Sequence, residues 1–299
     1  MNVFVHSLSI LTFLGWLILF PVHAHTSMII EWERLETAGK DKKADAEPVP
    51  GKNWTDSLTG IRFIWIPGGC YDMGSPPWKE GREHDEGPVH EVCVGDFWLG
   101  QNEITQGQWQ AIMRINPSFF LKGDAYPLEQ VSWIDADVIS TSLNERFKGK
   151  ARFRLPTEAE WEYVCREGGD SIDFAGRADL SQLAWMGENS LQTTHPVKTR
   201  KPNRFGMLDM SGNVWEWTQD NYRPDAYAHH KKDNPTVMDE GFFKVIRGGG
   251  WKDASGALRC VNRGFERYTS KRADLGFRLA AVVDMEEEGK RPPIFGIPF

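Results

Sequence analysis

The chain has 299 residues and carries 35 basic against 42 acidic side chains, which gives a formal net charge of −7. This balance argues against nucleic acid as a partner, because nucleic-acid-binding domains usually present a basic surface. The length suffices for a large buried core. The 13 Trp and 29 Gly residues favour a loop-rich fold in which tight turns wrap around large amphipathic side chains.

The first 24 residues contain no Asp, Glu, Lys or Arg. An apolar run at residues 8–22 leads into Val22-His23-Ala24, a pattern typical of a secretory signal peptide before its cleavage site. This run is shorter than the ~20 residues that a membrane-spanning helix needs. We therefore predict a signal peptide at residues 1–24, no stable membrane span after its cleavage, and a periplasmic or secreted protein. The alternative is that the segment stays as an uncleaved anchor.

Residues 25–59 are predicted to form an N-terminal extension and linker. The stretch 37–58 is rich in charge, Pro and Gly, so it has too little apolar surface to fold alone. Residues 29–35 are a candidate short strand or helix fragment. The pattern changes near residue 60 and predicts one domain at 60–283, followed by an exposed tail at 284–299.

Short strands and three helix starts follow in chain order. Runs of β-forming residues bounded by Gly and Pro predict strands at 63–66, 89–94, 244–247 and 276–283. Three hydroxyl residues have the spacing of a capping box, namely Thr105 with Gln108, Ser132 with Asp135 and Thr157 with Glu160. The last of these helices is expected to run from 158 to 167 and to end at Gly168-Gly169.

Four cysteines form an even set, and none has the CxxC spacing typical of zinc or thiol-redox sites. Two disulfides are the default in an exported protein. Residue spacing leaves three pairings open among Cys70, Cys93, Cys165 and Cys260.

Four segments, in this order, resemble the formylglycine-generating-enzyme (sulfatase-modifying factor) family. They are IPGGCYDMGS at 66–75, RLPTEAEWEY at 154–163, GMLDMSGNVWEWTQD at 206–220, and RGGGWKD at 247–253 with LGFRLA at 275–280. Each motif alone is weak, but the ordered set is specific. The resemblance implies an α+β fold, a loop-rich, single-domain variant of the C-type lectin fold. It also implies a Cys165–Cys260 disulfide and core positions for Trp161, Trp215 and Trp217.

The GNVWEW segment resembles the family's calcium site. The resemblance implies a structural Ca²⁺ bound by Asp209, Gly212, Val214 and Glu216, a set of side-chain and carbonyl oxygens that suits this ion. The alternative is that Asp209 caps a turn and Glu216 pairs with an arginine. A second family calcium site is not expected, because Leu183 occupies a position that needs an oxygen-bearing side chain.

The oxidase members of the family bind copper(I) through two cysteine thiolates, and the matching positions here are Asp253 and Leu258. Neither side chain replaces a thiolate, so copper is not expected. Cys260 lies nearby, but its context resembles the family's structural disulfide. Whether the chain is an enzyme is therefore left open.

A cleft at the former copper position is the candidate site, with Trp251, Asp253, Arg259 and Arg263 as its residues and with further charges from Lys252, Arg267 and Arg278. Such a cleft suits a peptide, a protein or a small polar ligand. The alternative is that the arginines pair with local carboxylates. His84 and His90 lack a third ligand at metal-site spacing and are interpreted as ordinary surface residues.

Three functions are compatible with the sequence. The first is an exported maturation factor that acts on a peptide or peptide-derived substrate without the copper-cysteine pair. The second is a non-catalytic ligand- or protein-binding module that uses the lectin-like cleft. The third is a formylglycine-generating oxidase of sulfatases with displaced cysteines, which would have free thiols.

Overall fold

The computed structural model describes residues 48–283 of the chain. The predicted signal peptide, the candidate element at 29–35 and the predicted tail at 284–299 lie outside the described residues. No helix among residues 48–283 is long and apolar enough to cross a bilayer.

Eleven short strands and four helices form the described part. Numbered in chain order, the strands are β1 (Trp54–Thr55), β2 (Arg62–Ile66), β3 (Gly69–Met73), β4 (His90–Val94), β5 (Phe97–Gly100), β6 (Ala151–Arg154), β7 (Trp215–Asn221), β8 (Phe243–Arg247), β9 (Gly264–Arg267), β10 (Leu275–Gly276) and β11 (Ala280–Val283). The helices are α1 (Gln106–Met113), α2 (Trp133–Arg146), α3 (Glu158–Cys165) and α4 (Leu180–Leu183).

Part of the predicted linker lies among the described residues, and it includes strand β1. β1 pairs antiparallel with β2, and Trp54 lies opposite Phe63. Their rings stack with centroids 4.8 Å apart, and Trp54 is buried. One large aromatic side chain thus anchors a segment whose average composition indicated a linker.

A five-stranded antiparallel sheet, in the order β1-β2-β5-β11-β6, forms the centre of the fold. Successive residues of a strand point to opposite faces. Phe63 and Trp98 therefore join one apolar core, whereas Ile64 and Leu99 join another. Helices α1 and α2 pack on the first core and α3 on the second.

A second sheet has the order β10-β7-β8-β9, and β3 and β4 form a separate hairpin. The predicted strand at 276–283 is split between the two sheets, since β10 pairs with β7 and β11 with β5 and β6. Between them Arg278 is fully buried and pairs with Glu216. The predicted strand is therefore interrupted at Arg278, whose side chain forms a buried ion pair.

All three predicted capping boxes are present. Thr105, Ser132 and Thr157 each accept a hydrogen bond from a first-turn N–H, and the partner side chain accepts one from the cap N–H in return. Helix α3 ends at Cys165, two residues before the predicted end. Positive φ angles at Glu167, Gly168 and Gly169 follow the end of the helix.

The predicted core tryptophans are buried, with Trp161 in the second core and Trp215 and Trp217 in the first. The two disulfides are Cys70–Cys93, across the β3-β4 hairpin, and Cys165–Cys260, from the end of α3 to the segment before β9. The mixed α+β, loop-rich character expected from the sequence is confirmed.

Candidate functional site

The loop after β8 carries two of the predicted site residues. Gly248 and Gly249 have φ angles of +98° and +72°, which glycine adopts readily. The Trp251 N–H then donates to the Asn213 carbonyl at 2.7 Å. These turns bring Trp251 and Asp253 to the same side of the domain.

A group of apolar side chains lies near Trp251, in which Phe119 is exposed and Phe120 and Trp251 are half-buried. The Phe120 ring packs edge-on against the Trp251 ring with centroids 5.5 Å apart, and Phe119 packs on Phe120 at 5.0 Å. The Ser190 hydroxyl donates to the Trp251 carbonyl at 2.7 Å, which ties the backbone just before the exposed Leu191 to the Trp251 loop. The aromatic surface, as we call this group, consists of Phe119, Phe120, Leu121, Leu191 and Trp251.

Two lysines give the aromatic surface a positive rim. Lys122 Nζ lies 5.6 Å from the Phe120 ring centroid and donates to Thr193 Oγ1 at 2.7 Å. Lys252 Nζ lies 2.9 Å from a carboxylate oxygen of Asp274. Both lysines are exposed. The surface therefore combines apolar area with positive charge, a combination suited to an apolar side chain near a carboxylate or a carbonyl oxygen.

A buried carboxylate holds the loop that carries Phe119 and Phe120. Glu129 accepts hydrogen bonds from both backbone N–H groups, at 3.0 and 2.7 Å. Burial raises the pKa of Glu129 to about 7, although these two hydrogen bonds act in the opposite direction. Glu129 thus holds the backbone of the loop that carries Phe119 and Phe120.

Asp253 and Leu258 do not provide a copper site. The Asp253 carboxylate accepts hydrogen bonds from Trp215 Nε1 at 2.7 Å and from the Gly250 N–H at 2.9 Å, so it braces the loop. Leu258 is fully buried against Ala184. A hard carboxylate oxygen and an aliphatic side chain do not fit copper(I), and all four cysteines of the chain are in disulfides.

Arg259 and Arg263 lie in the interior, in the carboxylate pairing that the sequence left as the alternative to a cleft. Arg263 forms a two-pronged pair with Glu158, at 2.7 and 2.9 Å. Arg259 pairs in the same way with Glu86, at 2.7 and 3.0 Å. Both arginines are buried, and the buried carboxylates explain why they turn inward.

A third buried arginine completes this interior group. Arg247 Nη2 lies 2.5 Å from Glu162 Oε2, and both side chains are fully buried. We define the charge network as Arg247, Arg259 and Arg263 with Glu86, Glu158 and Glu162. Arg267, in contrast, is exposed with its guanidinium 5.8 Å from the Phe243 ring centroid.

Three of the predicted calcium residues lie in a buried turn before β7, and Glu216 is the second residue of that strand. Asp209 accepts a hydrogen bond from the Lys198 N–H at 2.8 Å. Gly212 has a φ of +84°, and a Cβ there would lie 2.2 Å from the Trp185 carbonyl oxygen. Glu216 accepts from Arg278 Nε and Nη2 at 2.6 and 2.7 Å, so the arginine pairing that the sequence left as an alternative is present.

The buried groups around this turn include more carboxylates than guanidinium groups. Glu103, Asp209 and Glu216 are all buried, and Arg278 is the guanidinium that pairs with Glu216. Burial, together with Asp209 and Glu216, raises the pKa of Glu103 well above its usual range. Burial likewise raises the pKa of Asp209 to about 6. Glu216 Oε1 accepts from Arg278 Nη2, and a carboxylate oxygen has a second lone pair for a metal ion.

The two histidines of the acidic segment separate in the structure. His84 is exposed, whereas His90 Nε2 lies 3.1 Å from His230 Nδ1. Burial is the main cause that lowers the pKa of His230 to about 4. No cluster of three or more His, Cys, Asp or Glu side chains suited to a metal ion occurs between residues 48 and 283.

The sequence interpretation missed Phe119, Phe120 and Leu121 as site residues. A visible signal existed, because three large apolar residues follow Pro117-Ser118 in a stretch without helix or strand periodicity. In the structure Leu121 is 68% exposed, and Leu191 of the same surface is 87% exposed. Large apolar side chains exposed as a group are typical of an interaction site.

Comparisons with known proteins identify relatives of this chain. The family model described as "Sulfatase-modifying factor enzyme 1-like domain" matches residues 49–283. The formylglycine-generating enzyme of Mus musculus is 35% identical over 75% of this chain and 76% of its own length. The serine/threonine-protein kinase pkn1 of Chlamydia caviae is 28% identical, and the chain spans only 43% of that relative's length.

A solved structure has a similar fold. PvdO from Pseudomonas aeruginosa matches with a TM-score of 0.69 and 25% identity, over 78% of this chain and 99% of the PvdO chain. This similarity confirms the fold type that the four sequence motifs implied.

Proposed function

Because this chain belongs to the sulfatase-modifying factor family, we propose that it is an exported maturation factor for a peptide or peptide-derived substrate. It works without the paired thiolates of the oxidase members. The observation that carries this proposal is the aromatic surface, whose Phe119, Leu121 and Leu191 side chains are exposed and whose Trp251 lies two residues before Asp253. The two disulfides support export, since such bonds persist in oxidising compartments.

The proposed role of the aromatic surface is to bind and orient the substrate. Phe119 and Leu191 offer apolar area to a substrate side chain, and Lys122 attracts a carboxylate or carbonyl oxygen at the rim. Glu129 and Asp253 act as positioning residues, because their carboxylates hold the loops that carry Phe120 and Trp251.

The test compares the masses of exported peptides from cells that lack the gene and from cells complemented with variants. Wild-type protein and Phe265→Ala, a variant outside the aromatic surface, are expected to restore the missing product. The double variant Phe119→Ala/Leu191→Ala is expected not to restore it. Identical peptide profiles with and without the gene would contradict the proposal, as would full restoration by the double variant.

A thiol titration tests the absence of copper-thiolate chemistry. The denatured, unreduced protein is expected to show no free thiol, and peptide mapping is expected to recover Cys165 linked to Cys260. Two free thiols that include Cys260 would instead favour an oxidase with displaced cysteines.

A non-catalytic binding module is the second candidate, and one observation favours it. The polar groups beside Trp251 are already engaged, Asp253 with Trp215 and Lys252 with Asp274. A surface of this kind binds without offering a free acid or base. A bound peptide that is recovered chemically unchanged, with weaker binding by Phe119→Ala, would favour this candidate.

We also propose that the turn before β7 holds a structural calcium ion. The ligands are the Asp209 and Glu216 carboxylates and the carbonyl oxygens of Gly212 and Val214. The excess of buried carboxylates over arginine supports this proposal, because a divalent cation offsets their mutual repulsion.

The calcium proposal is tested by thermal unfolding in EGTA and in added calcium. Calcium is expected to raise the Tm of the wild type and of Asp239→Asn, an exposed control, and to have little effect on Asp209→Asn. Equal Tm values for the wild type under both conditions would disprove this site.

A further inference from the structure

A cavity of about 740 Å³ opens beside strand β3, away from the aromatic surface. Its walls come from residues 70–72 of β3, residues 74–78, Arg82, residues 88–89, and Arg166 with residues 168–171 after α3. This volume lies in the range of about 300–1,000 Å³ that is typical of small-molecule sites. No residue of the aromatic surface lines it.

The apolar side of the cavity centres on an indole ring. Trp78 is 85% exposed, although Trp is usually highly buried. Pro76, Pro77 and Pro88 line the same cavity, and their rings restrict the backbone around the indole. A flat ligand that stacks on Trp78 would remove a large apolar face from water at low ordering cost.

Two opposite charges in the cavity have no side-chain partner within residues 48–283. The Asp72 carboxylate accepts no hydrogen bond from the described residues, whereas its backbone carbonyl accepts one from Arg166. Arg82 donates through Nε to the Ser75 carbonyl at 3.1 Å, which leaves the Nη groups for a ligand. By contrast, Asp170 pairs with Arg177, and Arg166 pairs with Glu162.

The shape of the cavity is fixed by close backbone contacts. Gly169 has a φ of +93°, and a Cβ there would lie 2.1 Å from the Tyr71 Cβ. A Cβ on Gly87 would lie 2.1 Å from Arg82 Nη2, so the guanidinium rests directly on this glycine. The Cys70–Cys93 disulfide also ties β3 to β4. These contacts indicate a preformed site.

We propose that this cavity, which we call the Trp78 cavity, binds a neutral sugar. Two carboxylates and two guanidinium groups line it, Asp72 and Asp170 with Arg82 and Arg166, so the lining does not select for a net charge. A purely apolar ligand that covered Asp72 and Arg82 would remove water from both charged groups without supplying hydrogen bonds, which is costly. A pyranose ring offers an apolar face for the indole and hydroxyl groups that donate to the carboxylate and accept from the guanidinium.

This inference goes beyond the proposed maturation function, because it concerns a second site and does not depend on turnover. Its test applies the full exported protein to an array of neutral and charged glycans, followed by calorimetry with the best neutral sugar. Trp78→Ala is expected to weaken binding by at least about ten-fold, as expected for a central aromatic contact. Asp72→Asn and Arg82→Gln are also expected to weaken it.

Phe242→Ala is the matched control, because it removes an exposed aromatic ring outside the Trp78 cavity. It is expected to bind as the wild type does. The absence of any neutral glycan among the bound ligands would overturn the proposal. Binding by Trp78→Ala with wild-type affinity would also overturn it, as would capture of proline-rich peptides in place of sugars.

Discussion

Charged side chains serve opposite purposes in the charge network and in the Trp78 cavity. In the network, Arg263 and Glu158 form two charge-assisted hydrogen bonds inside the protein. In the cavity, Asp72 and Arg82 face a common open space without a side-chain partner among the described residues. An arginine that pairs with a buried carboxylate, such as Arg263, is structural. An arginine at a cavity without a carboxylate partner in the described part of the chain, such as Arg82, can bind a ligand.

The two disulfides provide the strongest test of this comparison, because one adjoins each region. Cys165–Cys260 spans 95 residues and joins α3 to the segment with Arg259 and Arg263, whereas Cys70–Cys93 spans 23 residues and borders the cavity. Loop closure predicts losses of about 4.7 and about 3.4 kcal/mol when each pair is replaced by Ala. Urea unfolding under non-reducing conditions measures both values.

The smaller loss should accompany Cys70→Ala/Cys93→Ala, and this variant should also bind less sugar if the hairpin shapes the cavity. Equal losses for the two double variants would show that loop length does not govern their stability. A larger loss of unfolding free energy for Cys70→Ala/Cys93→Ala would mean that the disulfide beside the cavity stabilises the fold more than the one beside the charge network.

Removal of one network arginine should have the next largest effect. Arg263→Ala leaves the Glu158 carboxylate buried without its main partner, which is expected to cost about 3–5 kcal/mol of unfolding free energy. Arg267→Ala removes an exposed arginine from the following strand, and a change below about 0.5 kcal/mol is expected. Urea denaturation compares the two variants, and similar losses would indicate that Arg263 is not a structural residue.

The carboxylate partners of these arginines could not be predicted from the sequence, although the helix caps could. Each helix cap depends on two residues three positions apart, so Thr157 and Glu160 carry the full signal. The partner of Arg263 is 105 positions away and that of Arg259 is 173 positions away. Such pairs arise only when the chain has folded, because no local spacing records them.

The aromatic surface and the Trp78 cavity show the same limit. Trp251 was predicted because it belongs to a family motif, and in the structure it is half-buried. Trp78 was not among the predicted site residues, and its cavity forms only when Arg166 and residues 168–171 pack beside β3. Motifs therefore identified the fold and one residue of the aromatic surface, Trp251, whereas the rest of that surface and the Trp78 cavity required the tertiary arrangement.

The pH dependence of stability is expected to show a smaller effect at the edge of the charge network. Asp220 accepts the Glu158 N–H at 2.8 Å, and burial, with the nearby Glu158 charge, raises its pKa to about 7. A raised carboxyl pKa gives stability that is complete below the unfolded pKa and is lost as the pH rises through about 7. We expect the wild type to lose about 2 kcal/mol between about pH 5 and pH 8 from this group.

Asp220→Asn should flatten this part of the pH profile, since an amide does not ionise. Asp239→Asn, at an exposed position, should keep the wild-type slope. Denaturant unfolding at several pH values measures both slopes. If Asp220→Asn keeps the full slope, another group is responsible for the pH dependence.

The smallest expected effect on stability is at Trp78, and it separates the two regions most directly. The indole is 85% exposed, so Trp78→Ala removes little buried area and should change the unfolding free energy by less than about 0.5 kcal/mol. The same substitution should remove most sugar binding. A large aromatic side chain that contributes affinity but no stability is the signature of a binding residue, whereas Arg263 should show the reverse. If Trp78→Ala instead unfolds the protein as readily as Arg263→Ala does, the indole supports the fold and the distinction between the two regions fails.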